Sequence, residues 1–245
     1  MSPLGLFQLE QSYHARRGFV KGVITLRRII NRLKSAYGDQ SAPAVDPFSI
    51  VLYENVAYLV TEQRRRTAFE ELKRRIGITP QAIMRAPLAA LRAVAAAGGV
   101  YADLRAARMR EAARIVIEDF DGDIASVLIE PSARRRRLLK KFPAIGNPGV
   151  DKMLLLSRTE PVMALDSNGV RVLLRLGFGA ESKSYAATYK SVQSAMGEFR
   201  ERDIDLLIAA HLLLALHGRE LCKRTAPMCE PCSLKADCAF YAGRS

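Results

Sequence analysis

The chain has 245 residues, of which 49% are hydrophobic, so it is long enough for one or two compact domains with a substantial core. It carries 38 Lys and Arg against 25 Asp and Glu, and the resulting net charge of +13 indicates an anionic partner, most often a nucleic acid. No apolar run is long enough to cross a membrane, and residues 1–20 lack the apolar segment of a signal peptide. We therefore expect a cytoplasmic protein without a membrane span.

Hydrophobic residues recur at helical spacing along most of the chain, whereas strand signals are few. Pro47 and Thr79-Pro80 stand where a helix begins well, and Pro43 and Gly98-Gly99 interrupt the periodic segments. The sequence therefore predicts an all-α fold. The expected helices cover 18–37, 48–60, 63–76, 79–84, 87–97, 101–117, 131–139, 184–201 and 203–216, with a turn at 120–123 and a short element at 124–129.

One carboxylate lies inside the most apolar of these segments. Glu54 falls within the helix expected at 48–60, where its neighbours at helical spacing are Ile50, Val51, Ala57 and Tyr58. A carboxyl group in an apolar stripe should have a raised pKa, because burial disfavours its charged form. The alternative is a Glu at the solvent edge of the helix.

All the cysteines lie near the end of the chain, at Cys222, Cys229, Cys232 and Cys238, with six, two and five residues between them. Disulfides would suit a small secreted scaffold, so the compartment and the spacing favour a metal site. Structural zinc usually has two separated C-x2-C pairs, and only one pair is present here. Four thiolates held around one object suit a [4Fe-4S] cluster. The spacing alone leaves both metals open.

A loop rich in Gly and Pro precedes the cysteines and follows a basic run. The run comprises Arg134 to Arg137 with Lys140 and Lys141, and the loop reads Phe142-Pro143-Ala144-Ile145-Gly146-Asn147-Pro148-Gly149. Small residues in such a turn let backbone N–H groups at a helix start approach a phosphate. By itself the motif is weak, because Gly/Pro loops between helices are common.

Together these features resemble the endonuclease III and MutY class of helix-hairpin-helix DNA glycosylases, from about Pro47 to Cys238. The C-x6-C-x2-C-x5-C pattern resembles the iron–sulfur loop of that family. The segment 142–146 resembles the hairpin turn, with Ala144 in place of the first glycine. The apolar segment 162–165 followed by Asp166 resembles the family's approach to its catalytic aspartate.

The resemblance implies a base excision repair enzyme that flips a damaged or mispaired base out of double-stranded DNA and cleaves its N-glycosidic bond. It implies a six-helix domain at 46–159, with the hairpin at about 139–155, and a cluster domain at 1–45 and 160–245, with the DNA cleft between them. The four cysteines would hold a [4Fe-4S] cluster. We expect a monomer, associated with the nucleoid if the source is bacterial.

The resemblance also implies DNA contacts from three segments. Cations of the cysteine loop would bind phosphate, and Lys235 would add to them. The residues after Glu54 could wedge into the base stack, although packing in the core is an equal alternative for them. The expected contacts are Pro143, Ala144, Ile145, Gly146, Gly149, Lys223, Arg224, Tyr58 and Leu59.

Two residues are expected to carry the chemistry. Bifunctional members of the family use a lysine nucleophile two residues after the second glycine of the hairpin and eighteen before the aspartate, which is the position of Pro148 here. Lys152 is the nearest substitute, one helical turn later, and we expect its side chain to point elsewhere. Glu54 falls where MutY and the thymine-mismatch glycosylases carry a catalytic Glu. It would protonate the base or orient water, while Asp166 would stabilise the oxocarbenium sugar.

These residues predict a monofunctional enzyme that removes a mispaired or damaged pyrimidine, such as U or T opposite G. The run from Asp166 to Val172 resembles the thymine-mismatch branch, although Pro148 departs from it. MutY proteins carry a further domain that reads 8-oxoguanine, and because the chain stops soon after Cys238 we do not expect that activity. The alternatives are a bifunctional enzyme that uses a lysine such as Lys152, a catalytically silent DNA-binding homologue, and an unrelated zinc-loop protein.

Overall fold

The computed structural model describes residues 24–197, 199 and 201–243, and every regular element in these ranges is helical. The prediction of an all-α fold is therefore confirmed. The predicted first helix began at Gly18, a position outside the described residues. No helix in the described part of the chain combines the length and the apolar character that crossing a membrane requires.

The helices follow one another with short connections. They are α1 (Leu26–Tyr37), α2 (Pro47–Val56), α3 (Glu62–Arg75), α4 (Pro80–Arg85), α5 (Leu88–Ala97), α6 (Ala102–Asp119), α7 (Ser132–Leu139), α8 (Asn147–Leu156), α9 (Ser167–Leu176), α10 (Tyr185–Gly197), α11 (Ile204–Glu220) and α12 (Ala239–Ala242). Short 3-10 helices cover Ile124–Ile129 and Lys235–Asp237.

Contacts divide the chain into two compact units. The first comprises the described residues within 1–38, 167–200 and 213–245, and the second comprises 39–166 and 201–212. The second unit is larger than the six-helix domain expected at 46–159, because it also includes residues 39–45, 160–166 and 201–212. The assignment of the units as a cluster domain and a six-helix domain stays a prediction.

Side-chain caps determine where several helices begin. Thr25, Asp46, Thr61 and Thr79 stand before α1, α2, α3 and α4, and each side chain accepts the backbone N–H three residues later. Such a cap satisfies one of the N–H groups that have no acceptor within the helix. Proline occupies the first position of α2 and α4, where its missing N–H costs nothing.

The end of α2 differs from the prediction of a helix that continues to Val60. The helix stops at Val56, and Ala57 is extended, with φ −146° and ψ 147°. The Tyr58 N–H then donates to the Gly98 carbonyl over 3.0 Å instead of to a helical acceptor. A hydrogen bond to a distant segment therefore replaces the next turn of the helix, and local hydrophobic spacing could not reveal it.

The core of the second unit forms around α6, which packs against α2, α4 and α5. Within this core Arg105 is only 2% exposed. Its guanidinium donates to the carbonyls of Val56, Ala95 (2.6 Å), Gly99 (2.7 Å) and Val100 (2.7 Å). These carbonyls belong to the end of α2 and to the end of α5 with its following turn. One buried side chain thus fixes two adjacent chain reversals.

Replacing Arg105 with Met should lower the free energy of unfolding by at least about 3 kcal/mol, because buried carbonyls would lose charge-assisted hydrogen bonds. Urea denaturation followed by circular dichroism measures the change. Arg92→Met is the matched control, since Arg92 pairs with Asp103 at 2.8 Å where the two side chains are 62% and 75% exposed. That control should change stability by no more than about 0.5 kcal/mol. Equal effects would contradict the role given to Arg105.

Candidate active site and cysteine loop

Glu54 occupies a distinct position on α2, because every other residue of this helix is buried. Its side chain is 30% exposed. The carboxylate therefore reaches the surface at one point of a helix that is otherwise inside the core. The apolar environment expected from the sequence is correct for the helix, but the carboxylate itself meets charged partners.

Two cations contact the two oxygens of Glu54. The Lys152 Nζ on α8 donates to Oε1 over 2.8 Å, and the Arg65 Nη1 on α3 lies 3.5 Å from Oε2. Both cations also lie near the Tyr53 ring, with Lys152 Nζ 5.4 Å and Arg65 Cζ 5.6 Å from its centre. The expectation that Lys152 points elsewhere is therefore wrong. Its side chain is only 19% exposed and is directed at the predicted catalytic carboxylate.

The environment of Glu54 reverses the predicted direction of its pKa shift. Burial opposes ionisation, but the charges of Lys152 and Arg65 and the hydrogen bond from Lys152 outweigh it, so the pKa of Glu54 is lowered. The prediction of a raised pKa is wrong, since it considered only neighbours within the same helix. Glu54 is a carboxylate at neutral pH.

His211 on α11 is a site residue that the sequence reasoning missed. It is 7% exposed, and its Nδ1 lies 3.2 Å from the carbonyl oxygen of Ala164, two residues before Asp166. Burial, followed by the nearby Lys152 ammonium, lowers the pKa of His211 to about 4. Because a carbonyl only accepts, the proton of the neutral ring lies on Nδ1. Asp166 and Glu54 both act electrostatically on this ring, so His211 links the two predicted catalytic carboxylates. A lone histidine in the apolar run of α11 was the available signal.

The hairpin turn joins α7 to α8 as the sequence predicted. Ala144, which takes the place of the first glycine, has φ +66° and is exposed. This left-handed conformation favours glycine, so Ala144 carries strain of about 1 kcal/mol. The buried Asn55 amide donates to the Pro143 carbonyl over 3.0 Å and to the Val51 carbonyl over 2.9 Å. The helix that carries Glu54 is therefore hydrogen-bonded directly to the turn.

Ala144→Gly should raise the free energy of unfolding by up to about 1 kcal/mol, because glycine adopts a positive φ without strain. Gly146→Ala is the matched comparison. Gly146 has φ −96°, and a Cβ there would meet nothing closer than Pro148 Cδ at 3.8 Å. The Gly146→Ala substitution should therefore change the free energy of unfolding by no more than about 0.5 kcal/mol. Urea denaturation measures both variants. No gain for Ala144→Gly relative to Gly146→Ala would contradict the strain at position 144.

Tyr58 and Leu59 lie in the loop after α2 and are 48% and 75% exposed. The alternative that they pack in the core of a helix is therefore wrong. The Tyr58 ring lies 6.0 Å from the ring of Tyr101, which is 65% exposed and belongs to the turn that Arg105 fixes. A Cβ on Gly99 would lie 2.5 Å from the Tyr58 carbonyl oxygen, so only glycine permits this approach. The sequence reasoning identified Tyr58 and Leu59 but not Tyr101.

Much of the basic run before the hairpin is paired internally. Arg136 donates to the buried carboxylate of Asp151 over 2.6 Å and to Glu160 over 2.9 Å, and Arg135 lies 3.0 Å from Glu160. Lys141 pairs with Asp119 at 2.8 Å. Among the remaining cations of this run, Arg137 and Lys140 are exposed. Part of the run therefore stabilises α7 and α8.

The four cysteines form no disulfide with one another and line one pocket, together with residues of α9 and α11. Nitrogen donors are directed at sulfurs of this pocket. Arg175 donates to Cys222 Sγ over 3.3 Å, and the Leu234 N–H donates to Cys232 Sγ over 3.4 Å. His217 Nε2 lies 3.5 Å from Cys232 Sγ, and its Nδ1 lies 2.9 Å from the Tyr37 hydroxyl. Within the described ranges, no three Cys, His, Asp or Glu side chains form a group that could hold a single metal ion.

Arginines of α9 anchor the loop between the first two cysteines by its backbone. Arg171 donates to the Cys222 carbonyl over 2.8 Å, and Arg175 donates to those of Lys223 (2.8 Å) and Arg224 (3.2 Å). Lys223 and Arg224 are themselves exposed. Lys235, in contrast, donates to Glu230 over 3.0 Å. The sequence reasoning thus found the exposed loop cations, missed the arginines that hold them, and included one lysine that is already paired.

Comparison with known proteins identifies the family. The model for "HhH-GPD superfamily base excision DNA repair protein" matches residues 60–198, which is more than half of the chain. The chain belongs to this superfamily. The predicted resemblance is therefore confirmed, and with it the assignment to the base excision repair DNA glycosylases.

Members of the HhH-GPD superfamily with different activities are similar to this chain. Endonuclease III of Thermotoga maritima is 28% identical over 203 residues, covering 81% of this chain and 85% of the relative. Thymine-DNA glycosylase of Aeropyrum pernix is 24% identical over 219 residues, covering 88% and 94%. The solved structure of a trapped endonuclease III–DNA covalent intermediate matches with a TM-score of 0.70 at 21% identity, covering 90% of this chain and 99% of that one. This structural likeness shows that the fold is shared.

Proposed function

We propose that this HhH-GPD protein is a monofunctional DNA glycosylase that hydrolyses the N-glycosidic bond of a mispaired or damaged pyrimidine in duplex DNA. The contact of Lys152 Nζ with the Glu54 carboxylate at 2.8 Å carries the proposal. In bifunctional relatives of the resembled class, the nucleophilic lysine occupies the position of Pro148. Lys152 is the lysine nearest to that position in the sequence, and its contact with Glu54 commits its amine to an ion pair. A protonated amine held by a carboxylate is a poor nucleophile.

Asp166 and Glu54 have different roles in the proposed hydrolysis. Asp166, at the start of α9, stabilises positive charge that develops on the sugar as the base departs. Glu54 is ionised and accepts a hydrogen bond from the water that attacks C1′, which orients that water. Of the two roles expected for Glu54, orientation of water therefore fits its environment, and protonation of the base does not. Fixed charges act strongly here because Glu54, Lys152 and Arg65 are all partly removed from solvent.

The proposed DNA contacts come from three places in the chain. Backbone N–H groups at the start of α8, reached through the small residues of 143–149, bind phosphate. Exposed Lys223 and Arg224 bind phosphate as cations. Exposed Tyr58 and Leu59, with Tyr101 beside them, enter the base stack where the target base leaves it.

The segment after Asp166 and one of the similar proteins support a pyrimidine as the proposed substrate. The segment after Asp166 resembles the thymine-mismatch branch, and one of the similar proteins is named a thymine-DNA glycosylase. U or T opposite G is therefore the first substrate to examine.

Glu54→Gln and Asp166→Asn should each slow base excision by at least about a hundredfold, because each removes a charge that the transition state uses. Single-turnover excision from G·U and G·T duplexes, followed by alkaline cleavage of the abasic strand, measures the rate. Glu70→Gln on α3 is the control, since this carboxylate is exposed and pairs with Lys73. Parental rates in both active-site variants would contradict the roles proposed for the carboxylates.

Borohydride trapping examines the monofunctional assignment separately. We expect no covalent protein–DNA adduct when borohydride is added during excision, since no amine attacks C1′. An adduct that disappears in Lys152→Met would instead make Lys152 the nucleophile and the enzyme bifunctional.

We also propose that Cys222, Cys229, Cys232 and Cys238 hold a [4Fe-4S] cluster. The shared pocket and the N–H donors at Cys222 and Cys232 support this, since such donors stabilise thiolate ligands. When bound, the cluster would supply a rigid support for the loop that presents Lys223 and Arg224.

The purified protein should be brown, with a broad absorption near about 400 nm and about four irons per chain. Cys229→Ser should abolish the absorption and weaken DNA binding, whereas the neighbouring Met228→Leu should preserve both. A colourless protein that contains one zinc ion would contradict the cluster and identify a zinc loop.

A further inference from the structure

The pairing of Glu54 suggests a chemical criterion by which the site selects its substrate, and this inference rests on the proposed glycosylase function. Both oxygens of the carboxylate meet a cation, Lys152 at 2.8 Å and Arg65 at 3.5 Å. The three side chains are 19%, 21% and 30% exposed, for Lys152, Arg65 and Glu54 respectively. A carboxylate between two partly buried cations cannot deliver a proton, because protonation would leave the cations uncompensated.

We infer that Lys152 is a positioning residue that holds Glu54 as a carboxylate, so that the site expels only bases able to leave as anions. The position of Lys152 supports this role. It lies one helical turn after Pro148 on α8, within hydrogen-bonding distance of Glu54 and 5.4 Å from the centre of the Tyr53 ring. Lys152 thus places a fixed positive charge next to the carboxylate.

The reaction balances without an acid. The bond between C1′ and the base nitrogen breaks, and its electron pair leaves with the base as an anion. Water that is hydrogen-bonded to the Glu54 carboxylate adds to C1′ on the sugar and releases one proton to solvent. The base anion later takes a proton from solvent. Uracil and related pyrimidines can leave in this way, because their carbonyl groups delocalise the negative charge. Adenine stabilises an anion poorly and departs readily only after protonation, which this site does not provide.

The titratable groups that face Glu54 come from three helices. Lys152 lies on α8, Arg65 lies on α3, and His211, whose ring is neutral, lies on α11. The charge of Asp166 acts on the His211 ring. Lys152 makes the closer contact and the hydrogen bond, so its removal should affect Glu54 most. Arg65 would remain near the carboxylate and prevent a complete reversal.

The pH dependence of excision distinguishes this role from simple structural support. In the parent, the excision rate should stay constant as the pH falls from 8 until Glu54 protonates, below the usual range of a glutamate. In Lys152→Met the pKa of Glu54 rises, so the acid limb of the single-turnover profile should move to higher pH by about one unit or more. Excision of uracil opposite guanine at the acidic end should then fall about tenfold relative to the parent.

Two variants serve as comparisons for the profile. Lys152→Arg retains the positive charge and should restore the parental acid limb. Lys73→Met removes another lysine of the second unit, which pairs with Glu70 at 2.9 Å, and should leave the profile unchanged. An unmoved acid limb in a folded Lys152→Met protein would overturn the inference.

A series of substrates examines the selectivity directly. Opposite guanine, 5-fluorouracil should be excised faster than uracil, and uracil faster than thymine, following the acidity of each base at its glycosidic nitrogen. Adenine opposite guanine or 8-oxoguanine should not be excised above the spontaneous rate at pH 7. Excision of adenine that accelerates as the pH falls would show that Glu54 works as an acid; the glycosylase function would stand and this inference would fail. Excision of none of the bases would overturn the proposed function itself.

Discussion

The buried guanidinium of Arg105 is the interaction on which the second unit most depends. Carbonyl groups at the end of a helix have no intrahelical donors, and burial would leave them unsatisfied. Arg105 supplies donors to the end of α2 and to the turn after α5 at once. The helix that presents Glu54 and the loops that expose Tyr58 and Tyr101 therefore share one anchor. The groups proposed for catalysis and for DNA contact can therefore keep a common geometry although they lie in separate segments.

The ionisation state of Glu54 is a property of the assembled unit and not of its own helix. Along α2 its neighbours are apolar, and an isolated reading of that helix predicts an acid. Three other helices bring Lys152, Arg65 and His211 to the same point. Opposite charge then outweighs desolvation and keeps Glu54 ionised.

The sequence was sufficient for the helical fold, the hairpin turn and the cysteine loop, because periodicity, prolines and Cys spacing are local signals. It also proposed Glu54 as a catalytic residue and Tyr58 and Leu59 as DNA contacts, although it left core packing as an equal alternative for the last two. It could not place the end of α2, which depends on hydrogen bonds between Tyr58 and Gly98 and between Val56 and Arg105, residues that are distant in sequence. Nor could it direct Lys152 toward Glu54 or bring His211 near Asp166, because those contacts join distant segments. The partners of charged side chains were the hardest feature to predict. Arg136, for example, pairs with Asp151 on the following helix, although the sequence placed it in a basic run.

The internal pairing of the basic run has a consequence for how the protein would respond to ionic strength. Each phosphate contact by a cation releases counterions from DNA, and the number released sets the steepness of the salt dependence. Arg135, Arg136 and Lys141 are already neutralised by carboxylates of the same unit, so they contribute little to that number. The count of 38 Lys and Arg therefore overstates the number of cations that are available to DNA phosphates. Fewer available cations predict that DNA affinity declines less steeply as the salt concentration rises. The exposed rings and the hairpin amides proposed to contact DNA carry no net charge, so salt screens those proposed contacts less.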